Sequence, residues 1–373
     1  MNTSHLSPNR QTSHPTTPSS VLPQRPDWRG CRILITGASG FIGSFLVERA
    51  LQEGMEVWAA VRKSSSRAYL QDHRIHFIEL DFSSDDRMLQ QLEAHRESHG
   101  PWTYVVHAAG ATKCRDEKDF AKINTEGTLR FARLLKSSAT LLGRFVFISS
   151  LSVMGAIREK KAAEPTPGWR YAPIRNGDQP LPNTAYGRSK LEAEKGLANI
   201  KGLDYVVLRP TGVYGPREKD YFMMAQSIVQ HIDFAVGYRQ QEITFIYVKD
   251  LVEAAFLALY RGGTGQTYFL TDGDIYHSRT FSDLLQQELK VKRVFHIKAP
   301  LWILRVVCAL GNMMGRMTGK AITLNNDKYH ILRQRNWQCD LEPARRELGY
   351  HPQYPLERGV KEAVAWYKKE KWL

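Results

Sequence analysis

The chain has 373 residues, 42% of them hydrophobic, and a formal net charge of +14 from 52 Lys and Arg against 38 Asp and Glu. This length and composition fit a globular protein with one large domain or two modest ones. The charge favours anionic partners, such as a phosphorylated cofactor or an anionic membrane surface. Basic and aromatic residues are not interleaved along the chain, so no nucleic acid partner is predicted.

The N-terminal segment and the cysteines bear on the cellular compartment of the protein. Residues 1–28 are predicted to be a disordered tail, because Met1 to Pro26 is rich in Ser, Thr and Pro and holds no stretch apolar enough for a signal peptide. The four cysteines are too scattered for a disulfide framework, which suits a reducing compartment. The longest apolar segment, Pro300 to Leu310, is too short to span a bilayer. We therefore expect a cytoplasmic protein, and its charge leaves peripheral membrane contact open.

Apolar runs alternate with helical patterns along the first half of the chain. This alternation predicts βαβ units, and hence an α/β fold with a Rossmann-type doubly wound parallel sheet over residues 29–210. Ligands of such sheets bind beyond the carboxyl ends of the strands, so motifs at strand ends should converge on one crevice. The runs are Arg32 to Thr36, Glu56 to Val61, Ile75 to Leu80, Tyr104 to His107, Arg144 to Ser149 and Tyr205 to Leu208.

Three glycines, Gly37, Gly40 and Gly43, follow the first apolar run, where a strand must turn into a helix. Glycine there permits a tight turn and a close approach of backbone to phosphate, and the helix N-terminus attracts the anion. The spacing predicts that these glycines, with Phe41 and Ile42, bind the pyrophosphate of a dinucleotide.

The second predicted strand ends in Val61, Arg62 and Lys63. Sites for NAD usually place an acid about 20 residues past the glycines, where it accepts hydrogen bonds from the ribose. A guanidinium can instead pair with a 2′-phosphate. We therefore predict NADP(H) rather than NAD(H), with Arg62 and Lys63 as contacts. A solvated basic loop is the alternative interpretation of the same residues.

Tyr186 and Lys190 are four residues apart in a helical stretch and so share one face, while Ser150 ends another predicted strand. A phenol needs its pKa lowered by about 3 units to exchange protons near neutrality. An ammonium about 4 Å away could supply much of that shift. This pair is therefore a candidate for proton transfer.

With these residues the chain resembles the extended short-chain dehydrogenase/reductase family, from about Arg32 to about Lys369. The resemblance implies a catalytic set in which Ser150 orients the substrate oxygen, Tyr186 transfers the proton and Lys190 also holds the nicotinamide ribose. The other motifs that carry it are Asp81-Phe82, His107-Ala108-Ala109-Gly110, Asn124, Ser149-Ser150 before Val153-Met154-Gly155, and Arg209-Pro210 before Val213-Tyr214-Gly215-Pro216. From these motifs the implied cofactor contacts are Asp81, Phe82, Ala108, Ala109, Gly110, Pro210 and Val213.

The same resemblance implies that residues 211–373 form mainly a smaller substrate-binding domain, with residues 243–262 returning to the Rossmann domain. Members of the family often dimerise, so a homodimer is expected. For two motif residues we favour structural roles: Asn124 fixes backbone, and His107 is packed or hydrogen-bonded.

Departures from family patterns narrow the range of expected substrates. Leu151 and Ser152 stand where dehydratases of the family have an Asp-Glu pair, and Ile243 stands where many nucleotide-sugar enzymes have an Arg. The later segment resembles the 3β-hydroxysteroid dehydrogenase-like and dihydroflavonol reductase-like branch. The leading hypothesis is thus an NADP(H)-dependent oxidoreductase for a 3-keto or 3-hydroxy group of a steroid-like or long-chain lipid substrate, such as a keto-sphingoid or keto-ceramide. The alternatives are a nucleotide-sugar epimerase or reductase that grips phosphate with Arg217 and Arg239, and a non-catalytic cofactor sensor.

Two further patterns have more than one interpretation. An apolar, Met-rich helical stretch follows Pro300, and we favour a helix packed in the substrate domain over a lid or a membrane contact. His95 and His99 lie four apart without a third ligand, so a solvated helix face is favoured and no metal site is predicted. The Met-rich stretch comprises Leu301, Ile303, Leu304, Val307, Leu310, Met313, Met314 and Met317.

Overall fold

A computed structural model describes residues 22–155, 159, 161–162, 170–318 and 325–373. Its centre is a seven-stranded sheet in the order β3-β2-β1-β4-β5-β6-β11, in which every neighbouring pair is parallel. The strands are β1 (Arg32–Thr36), β2 (Glu56–Ala60), β3 (His76–Ile78), β4 (Tyr104–His107), β5 (Phe145–Ile148), β6 (Tyr205–Pro210) and β11 (Thr267–Leu270). The predicted α/β doubly wound fold is confirmed.

Helices cover both faces of this sheet, which is why its strands are nearly continuous apolar runs. One face packs against α1 (Phe41–Gln52) and α7 (Val248–Tyr260). The other face packs against α2 (Asp85–His99), α4 (Gly127–Ser137) and α5 (Ala185–Ala198). The short α3 (Glu117–Phe120) runs through a π-helical turn, Ala121–Glu126, into α4.

A second, smaller core lies in the later part of the chain. It gathers around buried Tyr214, Phe245 and Phe281, and helices α6, α8 and α11 contribute to it. The elements of this part are β7 (Gly212–Tyr214), α6 (Asp220–Val229), β8 (Ile232–Val236), β9 (Glu242–Ile243), β10 (Phe245–Tyr247), β12 (Tyr276–His277), α8 (Thr280–Leu289), β13 (Phe295–Ala299), α9 (Leu301–Thr318), α10 (Asn326–Leu332) and α11 (Leu356–Lys369).

The return of the chain to the nucleotide side is longer than the predicted 243–262. Helix α7 does pack on the main sheet, but Thr267–Leu270 then form the seventh strand, in register with Val207 to Pro210 of β6. The backbone hydrogen bonds of this strand explain the extension, because a paired strand cannot leave the sheet. The division into a cofactor domain and a substrate domain stays a prediction.

The predicted tail falls mostly on residues 1–21, outside the described residues. Its last residue departs from the expectation, because Trp28 is buried and packs edge-on against Tyr104, Phe256 and Tyr260. An indole that covers one end of the main core belongs to the folded body rather than to a tail.

Helix α9 forms where the sequence predicted a helix, and it packs on α10, but most of its apolar side chains are exposed, contrary to the expectation of a packed helix. Among the side chains of α9 that the structure describes, only Leu304 and Cys308 are buried. Leu301 is half-buried, and most of the other apolar side chains are exposed, Trp302 by 67% and Met317 by 78%. We call this exposed set the α9 apolar face: Trp302, Ile303, Val306, Val307, Leu310, Met313, Met314 and Met317. No helix in the described part of the chain is long and apolar enough to cross a membrane.

Candidate active site

The glycine turn between β1 and α1 has no room for side chains. Gly37 has a φ of +67°, and a Cβ on it would lie 2.8 Å from the carbonyl carbon of Ala108. A Cβ on Gly43 would lie 2.0 Å from the carbonyl oxygen of Gly37. Gly40 begins α1, and no side chain caps that end. A helix N-terminus with uncapped N–H groups beside bare backbone suits the pyrophosphate of a dinucleotide, so the residues present fit this cofactor.

At the end of β2, Arg62 and Lys63 are exposed, and neither side chain has an ion-pair partner among the described residues. The backbone turns here, with the N–H of Ser65 donating to the carbonyl of Arg62 at 2.9 Å. Two unpaired cations next to the glycine turn leave a positive site at the carboxyl edge of the sheet.

The Asp81-Phe82 pair after β3 has structural partners. Asp81 accepts hydrogen bonds from the N–H and hydroxyl of Ser83, which lower the pKa of its carboxyl, and it also pairs with Arg87 at 2.9 Å. The ring of Phe82 lies 6.2 Å from that of His107. Asp81 therefore holds the turn before α2, and its role as an adenine contact stays a prediction.

The residues after β4 adjoin both the glycine turn and α5. Ala108 faces Gly37, and a Cβ on Gly110 would lie 3.1 Å from both Asn124 Oδ1 and Lys190 Nζ. Ala109 donates its N–H to Thr36 Oγ1 at 3.2 Å. Further along the edge, Pro210 ends β6, and Val213 pairs with Ile246 in the small sheet of β7 and β10.

Ser150 and Tyr186 meet at the carboxyl end of β5. Ser150 lies just past the strand, and its hydroxyl accepts the N–H of Ser152 at 3.1 Å. Tyr186 lies in the first turn of α5, and its phenol is hydrogen-bonded to the Ser150 side chain. A serine hydroxyl and a phenol side by side can both reach one oxygen of a substrate.

Lys190 lies one turn further along α5 and is almost fully buried. Its ammonium donates to the carbonyl of Ile148 at 2.9 Å and lies 4.6 Å from the centre of the Phe147 ring. Burial lowers the pKa of Lys190 to about 8, and the carboxylate of Glu194 opposes this shift.

The expected fall in the pKa of Tyr186 is wrong for the protein alone. Burial raises that pKa to about 12, although the hydrogen bond from Ser150 lowers it. The Lys190 ammonium donates to the Ile148 carbonyl, and desolvation of the phenolate is the largest influence on the pKa of Tyr186. At neutral pH the phenol therefore keeps its proton, which is the form a general acid needs.

The structural roles expected for Asn124 and His107 agree with their contacts. Asn124 is fully buried in the π-helical turn and exchanges two hydrogen bonds with the backbone of Ala111, at 2.8 and 3.0 Å. His107 is buried between the hydroxyls of Thr36 and Thr128, and burial lowers its pKa to about 3. A neutral imidazole held from both sides is not poised for proton transfer.

A buried ion pair missed by the sequence analysis lies below Lys190. Arg209 of β6 makes two hydrogen bonds to Glu194 of α5, at 3.1 and 2.5 Å, and the hydroxyl of Ser149 also donates to Glu194. Both charged side chains are less than 10% exposed. This cluster fixes α5 against the ends of β5 and β6, and therefore fixes Tyr186 relative to Ser150.

Asp327 of α10 is a second residue that the sequence analysis missed. Its two carboxylate oxygens accept the N–H groups of Ala185 and Tyr186, each at 3.0 Å. Thr184 accepts the next N–H, from Gly187, at 2.9 Å. The first turn of the helix that carries Tyr186 is thus held by a carboxylate 141 residues away, as well as by its own cap.

Replacing Asp327 with Asn should lower kcat about tenfold and leave the KM for the cofactor unchanged. Asparagine offers one uncharged acceptor oxygen, and its NH2 group cannot accept the second N–H. A charge-assisted hydrogen bond is worth about 1.5–3 kcal/mol. Steady-state kinetics of the variant would measure this split. Asp86→Asn, an exposed substitution in the first turn of α2, is the matched control. An unchanged kcat would mean that Asp327 does not position Tyr186.

The predicted solvated face for the histidines of α2 is wrong for His95. This ring is buried, stacked on Trp102 at 3.9 Å and set edge-on to Trp58 at 4.3 Å, whereas His99 is exposed. Aromatic packing under the sheet accounts for the burial, which lowers the pKa of His95 to about 4. Among the described residues no group of side chains could hold a metal ion.

Arg217 is not free to grip a substrate phosphate, contrary to the epimerase alternative. It pairs with Glu48, donates to Ser44 at 2.9 Å, and lies between the rings of Phe45 and Tyr69. These contacts fasten the loop after β7 to helix α1. Arg239, the other candidate, is exposed.

The chain is similar over most of its length to several characterised enzymes. It is 26% identical over 345 residues to a UDP-glucose 4-epimerase of Vibrio cholerae, covering 89% of this chain and 94% of that one. It is 23% identical to a decarboxylating sterol-4-alpha-carboxylate 3-dehydrogenase of Dictyostelium discoideum, covering 88% and 99%. It is 25% identical to a 3-beta-hydroxysteroid dehydrogenase of Mycolicibacterium neoaurum, covering 90% and 91%. The predicted resemblance to the steroid dehydrogenase branch is confirmed.

Among solved structures, a dTDP-glucose 4,6-dehydratase from Bacillus anthracis, in complex with NAD, superposes with a TM-score of 0.69 at 19% identity. The match covers 92% of this chain and 98% of that one. Residues 33–297 match the model of the NAD dependent epimerase/dehydratase family. The chain therefore belongs to that family of extended short-chain dehydrogenases/reductases, and it is an NAD(P)-dependent oxidoreductase acting on CH–OH groups.

Proposed function

We propose that the protein is an NADP(H)-dependent oxidoreductase for a 3-keto or 3-hydroxy group on a hydrophobic substrate, steroid-like or a long-chain lipid. The observation that carries the proposal is the hydrogen-bonded pair of Ser150 and Tyr186, with Lys190 one turn away on the same helix. The sterol and steroid dehydrogenases among the relatives support the choice of substrate class.

In this proposal the nicotinamide, when bound, supplies or accepts the hydride. The hydroxyl of Ser150 orients the substrate oxygen. Tyr186 donates its phenolic proton to the alkoxide that forms during reduction, and takes that proton back during oxidation. Lys190 supplies a positive charge beside the site. The carboxylate of Glu194 favours this charged form, because it opposes the fall in the pKa of Lys190 that burial causes.

Gly37, Gly40 and Gly43, with Phe41 and Ile42, would hold the pyrophosphate at the start of α1. The other proposed contacts are Asp81, Phe82, Ala108, Ala109, Gly110, Lys190, Pro210 and Val213. The unpaired Arg62 and Lys63 at the end of β2 would bind the 2′-phosphate.

Replacing Arg62 with Ala should raise the KM for NADPH by about 10- to 100-fold and leave the KM for NADH nearly unchanged. A charge-assisted hydrogen bond to phosphate is worth about 1.5–3 kcal/mol, and only NADPH carries that phosphate. Initial rates with both cofactors would measure the change. Arg133→Ala, which removes an exposed arginine from α4, is the matched control. A wild-type preference for NADH would reject the NADP(H) assignment.

The second candidate, a nucleotide-sugar epimerase or reductase, is favoured by one cavity. A space of about 290 Å³ is lined by Arg239, Arg333 and Arg335, which could bind a diphosphate. Two observations count against this candidate. Arg217 is held by its contacts with helix α1, and the apolar Ile243 stands where many nucleotide-sugar enzymes have an arginine. Turnover of a panel of 3-keto lipids, 3-ketosteroids and nucleotide sugars decides between the two candidates, and turnover of the sugars alone would reject the lipid proposal.

A further inference from the structure

The α9 apolar face points away from the protein, which is unfavourable for a helix in water. An amphipathic surface helix buries its apolar side and exposes its polar side. In α9 the side toward the protein carries Leu304 and Cys308, and the opposite side carries exposed apolar side chains from Trp302 to Met317. An exposed apolar patch of this length marks a contact with another apolar surface.

The neighbouring strands extend the same surface. β8 and β13 pair in parallel, and Phe234 stands opposite Ile297 in their register. Phe295, two residues along β13 and so on the same side as Ile297, is 73% exposed. Since β13 runs directly into α9 through Pro300, this ribbon and the helix are contiguous in the chain.

The charged residues of the segment that carries this surface have one sign. From Lys290 to Asn326 the sequence contains seven Lys or Arg residues and no Asp or Glu. Lys290, Lys292, Arg293, Lys298 and Arg305 are exposed. Carboxylates on the neighbouring elements have partners: Asp233 pairs with His296, Asp283 pairs with Arg279, and Asp327 accepts N–H groups at the start of α5. An apolar face bordered by basic residues is complementary to a bilayer with an anionic surface.

We infer that α9 lies in the surface of an anionic membrane, with its apolar face in the acyl boundary and the adjacent basic residues among the headgroups. The described helix, Leu301–Thr318, is not apolar enough to span the bilayer, and we place it in the plane of the membrane surface. Trp302, at the first turn, has the side chain that favours the interface. This assignment goes beyond the proposed function and does not depend on the substrate.

Helix α9 packs on α10, an element that supports the candidate active site. The thiol of the buried Cys308 contacts the backbone at Tyr329, and α10 in turn carries Asp327, which holds the first turn of the helix with Tyr186. The membrane-bound helix is therefore one helix away from the candidate catalytic tyrosine.

Flotation of the full chain with vesicles tests the inference. The purified protein should float with vesicles of phosphatidylcholine containing about 30 mol% phosphatidylserine, and far less with phosphatidylcholine alone. Raising NaCl to about 1 M should weaken the binding, because the Debye length falls to about 3 Å. Protein that stays at the bottom with the anionic vesicles would overturn the inference.

A double variant identifies the surface. Leu310→Glu with Met313→Glu places two charges at the centre of the α9 apolar face and should reduce flotation at least about tenfold. Both side chains are exposed, so the fold should be retained, and thermal unfolding checks this. Leu142→Glu, at an exposed loop position before β5, is the matched control. The inference would be overturned if the double variant floated like the wild type. It would also be overturned if the wild type were a dimer and the double variant a monomer that floated equally well.

Discussion

Tyr186→Phe should lower kcat by about 10³-fold while leaving the dissociation constant for the cofactor unchanged. General acid–base catalysis contributes about 10²–10⁴-fold, and each factor of ten corresponds to about 1.36 kcal/mol of barrier. Phenylalanine keeps the ring and its edge contact with Phe120, and it removes only the hydroxyl that is bonded to Ser150. Fluorescence titration with NADPH and single-turnover kinetics would measure binding and chemistry separately.

The control for this variant is Tyr260→Phe, which removes a phenol from the end of α7, where the ring packs on Trp28. It should leave both kcat and cofactor binding unchanged. Turnover retained in Tyr186→Phe would reject the Ser-Tyr-Lys site. Cofactor binding without turnover of any ketone in the wild-type protein would instead favour a cofactor sensor.

The sheet and the glycine turn could be predicted because each leaves a recognisable pattern in a short stretch of sequence. An apolar run such as Ile33 to Ile35, bounded by turn residues, indicates a strand that is covered on both faces. Gly37 and Gly43 are glycines because side chains there would meet backbone a few residues away or on the adjacent strand. Tyr186 and Lys190 share a face by helical spacing alone.

The missed role of Asp327 and the actual partners of Arg217 depend on contacts between segments that are distant in sequence. Asp327 acts on a helix end that precedes it by about 140 residues, and Arg217 pairs with a helix near the start of the chain. For α9, the sequence predicts an amphipathic helix equally well whether its apolar side faces the protein or faces outward. Only the positions of Leu304 and Cys308 against α10 distinguish the two.

Local pattern also failed where burial changes chemistry. The spacing of Tyr186 and Lys190 suggested that the ammonium would lower the pKa of the phenol, but both groups are desolvated and each is driven toward its neutral form. His95 looked solvated among polar neighbours in sequence, yet the indole rings of Trp58 and Trp102 enclose it. Both errors arise from packing between elements.

Glu194→Ala should lower the free energy of unfolding by about 3–5 kcal/mol, because it leaves the guanidinium of Arg209 buried without its counter-charge. The hydroxyl of Ser149 loses its acceptor in the same step. A typical domain is stable by only about 5–15 kcal/mol, so the loss is a large fraction of the total. Urea unfolding followed by far-ultraviolet circular dichroism would measure it.

Two further variants separate the buried pair from helix α5 as a whole. Glu192→Ala removes an exposed carboxylate that pairs with Lys195 at 2.9 Å, and it should cost less than about 1 kcal/mol. Adding Arg209→Met to Glu194→Ala removes the orphaned charge and fills its space with an apolar side chain, so the double variant should be more stable than Glu194→Ala alone. If the double variant were less stable by the full sum of the two single losses, Glu194 and Arg209 would not act as a pair. Recovery in the double variant would mean that most of the single loss comes from the unpaired charge, and that α5 and β6 are joined at this point by electrostatic compensation.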